Sequence, residues 1–178
     1  MTAPETKGTG QMDVIDFAMQ MELDGKSHYE KLEAMTPVPG LKKIFSILAG
    51  DEQNHYEVMK GMKTGILTAF ASSIALETAQ NIFLSIRIDE QLLAELKTKI
   101  DVYRYAIRIE ADSIACYEDM LKNEEVTTSP AAVALLMKVI DEEQKHYNVM
   151  ENIHDLIAGY DHYLAWREFD KARRRGIV

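Results

Sequence analysis

The sequence predicts an all-α protein: an antiparallel four-helix bundle of two duplicated helical hairpins, with a long crossover between the second and third helices. Three observations carry that expectation. Apolar residues recur at spacings of three and four over four long segments, the period of one helix face. The four prolines, at positions 4, 37, 39 and 130, leave those segments uninterrupted. The stretches DEQNHYEVM (51–59) and EEQKHYNVM (142–150) are copies of one another.

Composition sets the outer bounds. A chain of 178 residues, 47% hydrophobic, suffices for one domain with a sizeable core. Twenty basic residues against 29 acidic ones give a net charge of −9. That balance argues against a general binder of nucleic acid or anionic membrane, both of which need positive potential. With Cys116 as the single cysteine, no internal disulfide and no cysteine-based zinc or iron–sulfur site can form, which suits a reducing cytoplasm. The start, MTAPETKGTGQMD, lacks a basic region followed by an apolar run, so no secretory signal is expected. The most apolar stretch, Ile66 to Leu76, is shorter than the roughly 20 residues of a membrane-spanning helix.

The elements follow in order. Residues 1–10, rich in Thr, Gly and Pro, are expected to form a flexible tail. A helical period then runs from Gln11 to about Ala34, with Ile15, Ala18, Glu22, Gly25, Tyr29 and Leu32 facing inward. The segment TPVPG (36–40) breaks it. A second helix is expected from Leu41 to about Met62, with Leu41, Phe45, Leu48, Glu52, His55 and Met59 inward. Residues 63–98 read as a long connection carrying one or two short helices. A third helix covers about Lys99 to Lys122, with the stripe Tyr103, Ala106, Glu110, Ser113, Tyr117 and Met120. After the loop NEEVTTSP, with Ser129 as candidate N-cap and Pro130 at the first helical position, a fourth helix runs to about Ala158. Its stripe is Leu136, Val139, Glu143, His146, Met150, Ile153 and Ile157. The bundle thus spans 11–158. Residues 159–178 hold a short amphipathic helix, YDHYLAWREF, and a basic end, KARRRGIV, read as a solvated terminus or, alternatively, a partner-docking segment.

The repeat extends beyond the two quoted stretches. Glu52, His55, Tyr56, Val58 and Met59 match Glu143, His146, Tyr147, Val149 and Met150 at an offset of 91. In the preceding helices Ala18, Glu22, Tyr29 and Glu30 match Ala106, Glu110, Tyr117 and Glu118 at an offset of 88. Each hairpin has an apolar stripe it cannot bury alone, and pairing them makes a bundle.

The polar members of the stripes point to metal. Glu22, Glu52, His55, Glu110, Glu143 and His146 sit where core residues belong. A lone ionised carboxylate in an apolar core costs several kcal/mol or is driven neutral. Four need compensation, and two divalent cations balance four carboxylates while the histidines bind neutral. Glu-x-x-His places both side chains on one helix face. A single copy is common and means little; two inward copies, each preceded by an inward Glu on its partner helix, match the known dinuclear arrangement of bundles. Tyr29 and Tyr117, two turns beyond Glu22 and Glu110, could orient a ligand carboxylate or serve as core aromatics with a satisfied hydroxyl. His28, His154 and His162 have no counterparts and are expected at the surface; Tyr56 and Tyr147 are expected to pack. Mid-helix Gly25 suggests room beside the metals or close helix packing.

The doubled pattern Ala-x-x-x-Glu-x-x-Gly/Ser-x-x-x-Tyr-Glu, followed by Glu-x-x-His-Tyr, resembles the rubrerythrin group of the ferritin-like superfamily over about residues 11–158. The resemblance implies a diiron site bridged by Glu52 and Glu143. Glu22 with His55, and Glu110 with His146, would then be the terminal ligands of one iron each. Two departures accompany it. Rubrerythrins proper carry a rubredoxin domain with four iron-binding cysteines, which one cysteine cannot build. They also have a further Glu three residues after the third-helix ligand, where this chain has Ser113, with Gly25 as its first-helix counterpart. The site is therefore closer to the symmetric, bacterioferritin-like or stand-alone erythrin type.

The expected function is a diiron oxidoreductase reducing hydrogen peroxide or dioxygen with an external electron donor, a free rubredoxin being the natural guess. Iron suits the ligand set, and manganese or zinc would fit. The alternatives are an iron-handling ferroxidase or ferritin-like storage protein, and a structural metal-binding module. A homodimer is the default assembly.

Overall fold

The computed structural model describes residues 14–66, 70, 72–124 and 130–159. Among these residues there are six helices and no strand: α1 (Val14–Met35), α2 (Pro39–Thr64), α3 (Ala75–Ser85), α4 (Glu90–Lys97), α5 (Ile100–Met120) and α6 (Pro130–Ala158). The protein is all-α, a helical bundle in which α1 packs along α2 and α5 along α6. The tail 1–10, Ser129, His162 and the C-terminal helix and basic end expected after Gly159 lie outside the described residues. No helix among the described residues is long and apolar enough to cross a membrane.

The boundaries follow local chemistry. α2 begins at Pro39, inside the segment read from sequence as a break. Proline is accommodated there because the first helical N–H has no intrahelical partner, and it holds the preceding Val38 extended, at φ −88° and ψ 112°. At the far end Gly65 takes a left-handed φ of 72°, and Ile66 N–H reaches back to the Gly61 carbonyl at 2.9 Å. This Schellman-type stop favours glycine because a side chain is strained there. Asp89 caps α4 by accepting from Leu92 N at 2.8 Å.

The interior has three layers along the bundle axis. One apolar cluster gathers Leu32, Leu41, Phe45, Leu48, Tyr103 and Ile153, together with Ala79 of α3 and Leu96 of α4. Phe45 stacks between Tyr29 and Tyr103, with ring centroids 6.4 and 6.2 Å away. The other cluster holds Ala18, Val58, Met59, Tyr117, Met120, Leu136 and Val139. Each long stripe runs from one cluster to the other. Between them lie Glu22, Glu52, His55, Glu110, Glu143 and His146, all buried. α2 and α5 both run from the first cluster to the second. The chain between them must therefore travel back along the bundle, and α3 and α4 lie over the first cluster on that path.

Candidate metal centre

The six buried polar side chains converge from four helices. His55 Nδ1 lies 2.9 Å from Glu143 Oε1, 3.5 Å from Glu22 Oε2 and 3.7 Å from Glu52 Oε2. His146 Nδ1 lies 3.3 Å from Glu52 Oε1, 3.5 Å from Glu143 Oε2 and 3.8 Å from Glu110 Oε2. Glu52 and Glu143 thus each offer one oxygen to either histidine. Glu22 approaches only the His55 side, and Glu110 only the His146 side. Ligand atoms of Glu52, His55, Glu143 and His146 all fall within 4.8 Å of one another. Both Nδ1 atoms, both oxygens of Glu143, and Oε2 of Glu22 and of Glu110 are buried without a hydrogen bond of proper geometry. Buried polar atoms are almost always satisfied, so six orphaned lone-pair atoms facing one another mark a place built for cations.

The electrostatics agree. Burial drives the Glu22 and Glu110 carboxyls well above their usual range, reinforced by charge on Glu52 and Glu143. Burial alone would also raise Glu52, but the nearby His146 and His55 rings reverse it and hold that carboxyl low. Glu143 is likewise pushed up by burial and by Glu52, and brought down past its usual value by His55 and His146. Burial would lower both histidines; Glu143 and its neighbours raise His55 instead, and Asp51, Glu143 and Glu52 raise His146. Without metal, proton uptake is therefore favoured at Glu22, Glu110, His55 and His146 and disfavoured at Glu52 and Glu143. Two divalent ions would balance the charge of four carboxylates while the histidines bind neutral, and would take the place of protons held there.

A family model for rubrerythrin matches residues 13–154. The chain belongs to the rubrerythrin family. It has no significant match to a curated protein or to a solved structure. Membership in the rubrerythrin family and the buried Glu/His cluster together indicate a dinuclear, carboxylate-rich metal site.

The tyrosines cross between the hairpins of this rubrerythrin-family bundle. Tyr29 of α1 donates its hydroxyl to Glu110 Oε1 of α5, and Tyr117 of α5 donates to Glu22 Oε1 of α1. Each hydrogen bond occupies the outer oxygen and leaves Oε2 facing the histidines. Burial, together with the charge on Glu110, pushes the Tyr29 phenol well up, so it remains a donor. The stripes left open which carboxylate each tyrosine meets; the packing of α1 on α5 pairs each with the Glu of the other hairpin.

Sequence reasoning missed Asp51, Glu142 and Ser73. Asp51 Oδ2 lies 3.3 Å from His146 Nε2, the ring atom turned away from the cluster. Ser73, in the segment before α3, donates its hydroxyl to the same Oδ2, and its backbone N donates to Glu142 Oε2 at 2.8 Å. The signal was present: the copied stretches begin Asp-Glu and Glu-Glu, so an acid precedes each candidate ligand Glu.

The unmatched histidines His28 and His154 lie deeper than expected. His28 is half-buried rather than on the surface, edge-on to Tyr29 and Tyr105, and burial lowers its pKa. His154 is also half-buried, with Nδ1 3.3 Å from Asp155 Oδ1. Tyr56 and Tyr147 are half-buried; Tyr147 donates to Glu151 at 2.9 Å. Burial pushes the Cys116 thiol up, which makes it a poor nucleophile. At Gly25 an added Cβ would meet the Glu52 carboxyl carbon at 3.4 Å, so this glycine lies directly against that carboxylate. Gly25 also lines a groove of about 450 Å³ between α1 and α5, with Phe17, Met21, Tyr105 and Ile109.

Proposed function

We propose that the protein is a diiron oxidoreductase that reduces hydrogen peroxide or dioxygen using electrons from a separate donor. The observation that carries this reading is the set of six buried side chains arranged so that two glutamates face both histidines and two face one each, with six of their ligand atoms left without a hydrogen bond. Glu52 and Glu143 would bridge. Glu22 with His55, and Glu110 with His146, would bind one metal each. The carboxylate and imidazole donors suit iron, with manganese or zinc also compatible. A pair of ferrous ions there supplies two electrons at once, the number that takes peroxide to two waters.

The chain's own residues do the rest. Tyr29 and Tyr117 hold the terminal carboxylates by their outer oxygens. Asp51 accepts from His146 Nε2, which leaves Nδ1 free to coordinate. The apolar clusters on either side exclude bulk water, and Gly25 thins the wall between the α1–α5 groove and Glu52. Electrons would come from an external carrier such as a rubredoxin, and a cytoplasmic homodimer is the setting we infer.

The test is anaerobic. Metal-free protein is loaded with Fe(II), the iron bound per chain is counted, and its oxidation by peroxide and by oxygen is timed. The expected result is two irons per chain, oxidised by one of these oxidants and re-reduced by an added donor over repeated cycles. Iron that leaves the site once oxidised, or accumulates as mineral in a very large particle, would replace this reading with iron handling. Zinc binding with no oxidation chemistry after iron loading would replace it with a structural site.

A further inference from the structure

Ser73 occupies the return path between α2 and α5, outside the hairpins that supply the six converging side chains. Its hydroxyl donates to Asp51 Oδ2 and accepts from Ala75 N at 3.0 Å, where α3 begins. Its backbone N donates to Glu142 Oε2. Asp51 and Glu142 are equivalent positions of the repeat, on α2 and α6. One residue therefore ties together the outer carboxylates of both hairpins. The tie is unsymmetrical: Asp51 Oδ2 receives both the Ser73 hydroxyl and His146 Nε2, whereas Glu142 receives Ser73 N on Oε2 and Lys145 Nζ on Oε1 at 2.9 Å.

We propose that Ser73 is a positioning residue for the His146 half of the metal centre, acting through Asp51 to fix the His146 ring with Nε2–H outward and Nδ1 toward Glu52, Glu110 and Glu143. This rests on the dinuclear reading above. A free Asp51 carboxylate can rotate; one oxygen pinned by the Ser73 hydroxyl cannot do so without breaking that bond. The imidazole hydrogen-bonded to it then keeps one tautomer and one orientation, which is how outer partners tune metal ligands. Because Glu142 is bonded differently, the two metal positions are unequal, and the His146 position depends on the return segment.

The test uses Co(II) alone as probe, titrated into the full chain and followed by its visible absorption, with helical content monitored by circular dichroism. The wild type should take two Co(II). Ser73→Ala should weaken one of the two binding steps by about 10- to 100-fold and alter the absorption of that step, with the other step unchanged. Ser73→Thr, which keeps a hydroxyl, should restore both. Asp51→Asn should weaken the same step, and the double variant should lose no more than Asp51→Asn alone, since partners in one network are not additive. Wild-type affinities and spectrum in Ser73→Ala, equal losses in Ala and Thr, or additive losses in the double variant would each overturn the positioning role. Failure of the wild type to bind any Co(II) would instead sink the dinuclear reading, and this role with it.

Discussion

The apolar ends of the bundle and the polar layer between them are built on the same four helices with the same spacing. At one end the stripe positions are Leu41, Phe45 and Leu48; one turn further along α2 they are Glu52 and His55, equally buried. Periodicity assigns positions to the interior without deciding what they do there. The ends stabilise the fold by removing apolar surface from water. The middle layer costs stability, because it holds ionisable groups in place of hydrocarbon.

The largest effect expected from this contrast is on metal content. Glu52→Ala removes the carboxylate that faces both histidines, and metal analysis should show the loss of a bound pair. Two irons per chain retained in that variant would refute the ligand assignment. The opposite manipulation belongs at the end of the bundle. Phe45→Ala, in the first apolar cluster, should cost about 3–5 kcal/mol in denaturant unfolding. Metal stoichiometry should be unchanged in the fraction that folds. A Phe45→Ala protein that lost stability little but lost metal would erase the division between the layers.

Next comes pH. In the metal-free protein Glu22, Glu110, His55 and His146 have raised pKa values. Such groups bind more protons folded than unfolded, so their contribution to stability is lost as pH rises. The loss begins above the ordinary carboxyl value of 4.5 for the glutamates and above 6.5 for the histidines. Glu52 and Glu143 are depressed and act oppositely, losing their contribution as pH falls below 4.5. Metal loading releases the protons of the raised groups, so affinity should increase with pH over the range in which metal-free stability declines. Thermal melts of both forms from pH 5 to pH 8 should diverge; parallel curves would mean that metal binds elsewhere.

This layer also shows how far sequence carries. The four stripes and the doubled Glu-x-x-His were legible because both are local: a helix repeats every 3.6 residues, and a copied hairpin repeats its chemistry. Asp51 was half-legible, as an acid in both copies. Ser73 was not, because its contacts depend on where a return segment crosses α2 and α6. Which glutamate each tyrosine meets was hidden for the same reason. Helical spacing says which residues share a face, and only packing says which face meets which.

The tyrosines supply a smaller test. Tyr29→Phe should leave Glu110 Oε1 buried without its donor, which costs about 1–3 kcal/mol, and Tyr117→Phe should do the same to Glu22. If each tyrosine holds a terminal carboxylate, each variant should weaken metal binding chiefly at the position its glutamate serves. Equal weakening of both positions by either variant would mean that the hydroxyls support packing in general.

The smallest effect is expected at Gly25, where the two layers' demands meet in one atom. A mid-helix glycine lowers helix stability by about 1 kcal/mol against alanine, and an added Cβ would meet Glu52 at an ordinary contact distance of 3.4 Å. Gly25→Ala should therefore raise the melting temperature of the metal-free protein slightly, since nothing has to move. In the loaded protein the same methyl group stands between the α1–α5 groove and the carboxylate facing both histidines. If small oxidants arrive by that groove, oxidation of bound iron should slow while metal affinity stays as it was. A variant that is more stable and equally fast would show that oxidants do not arrive by this groove. A variant that is less stable would show that Glu52 needs the space to change its orientation.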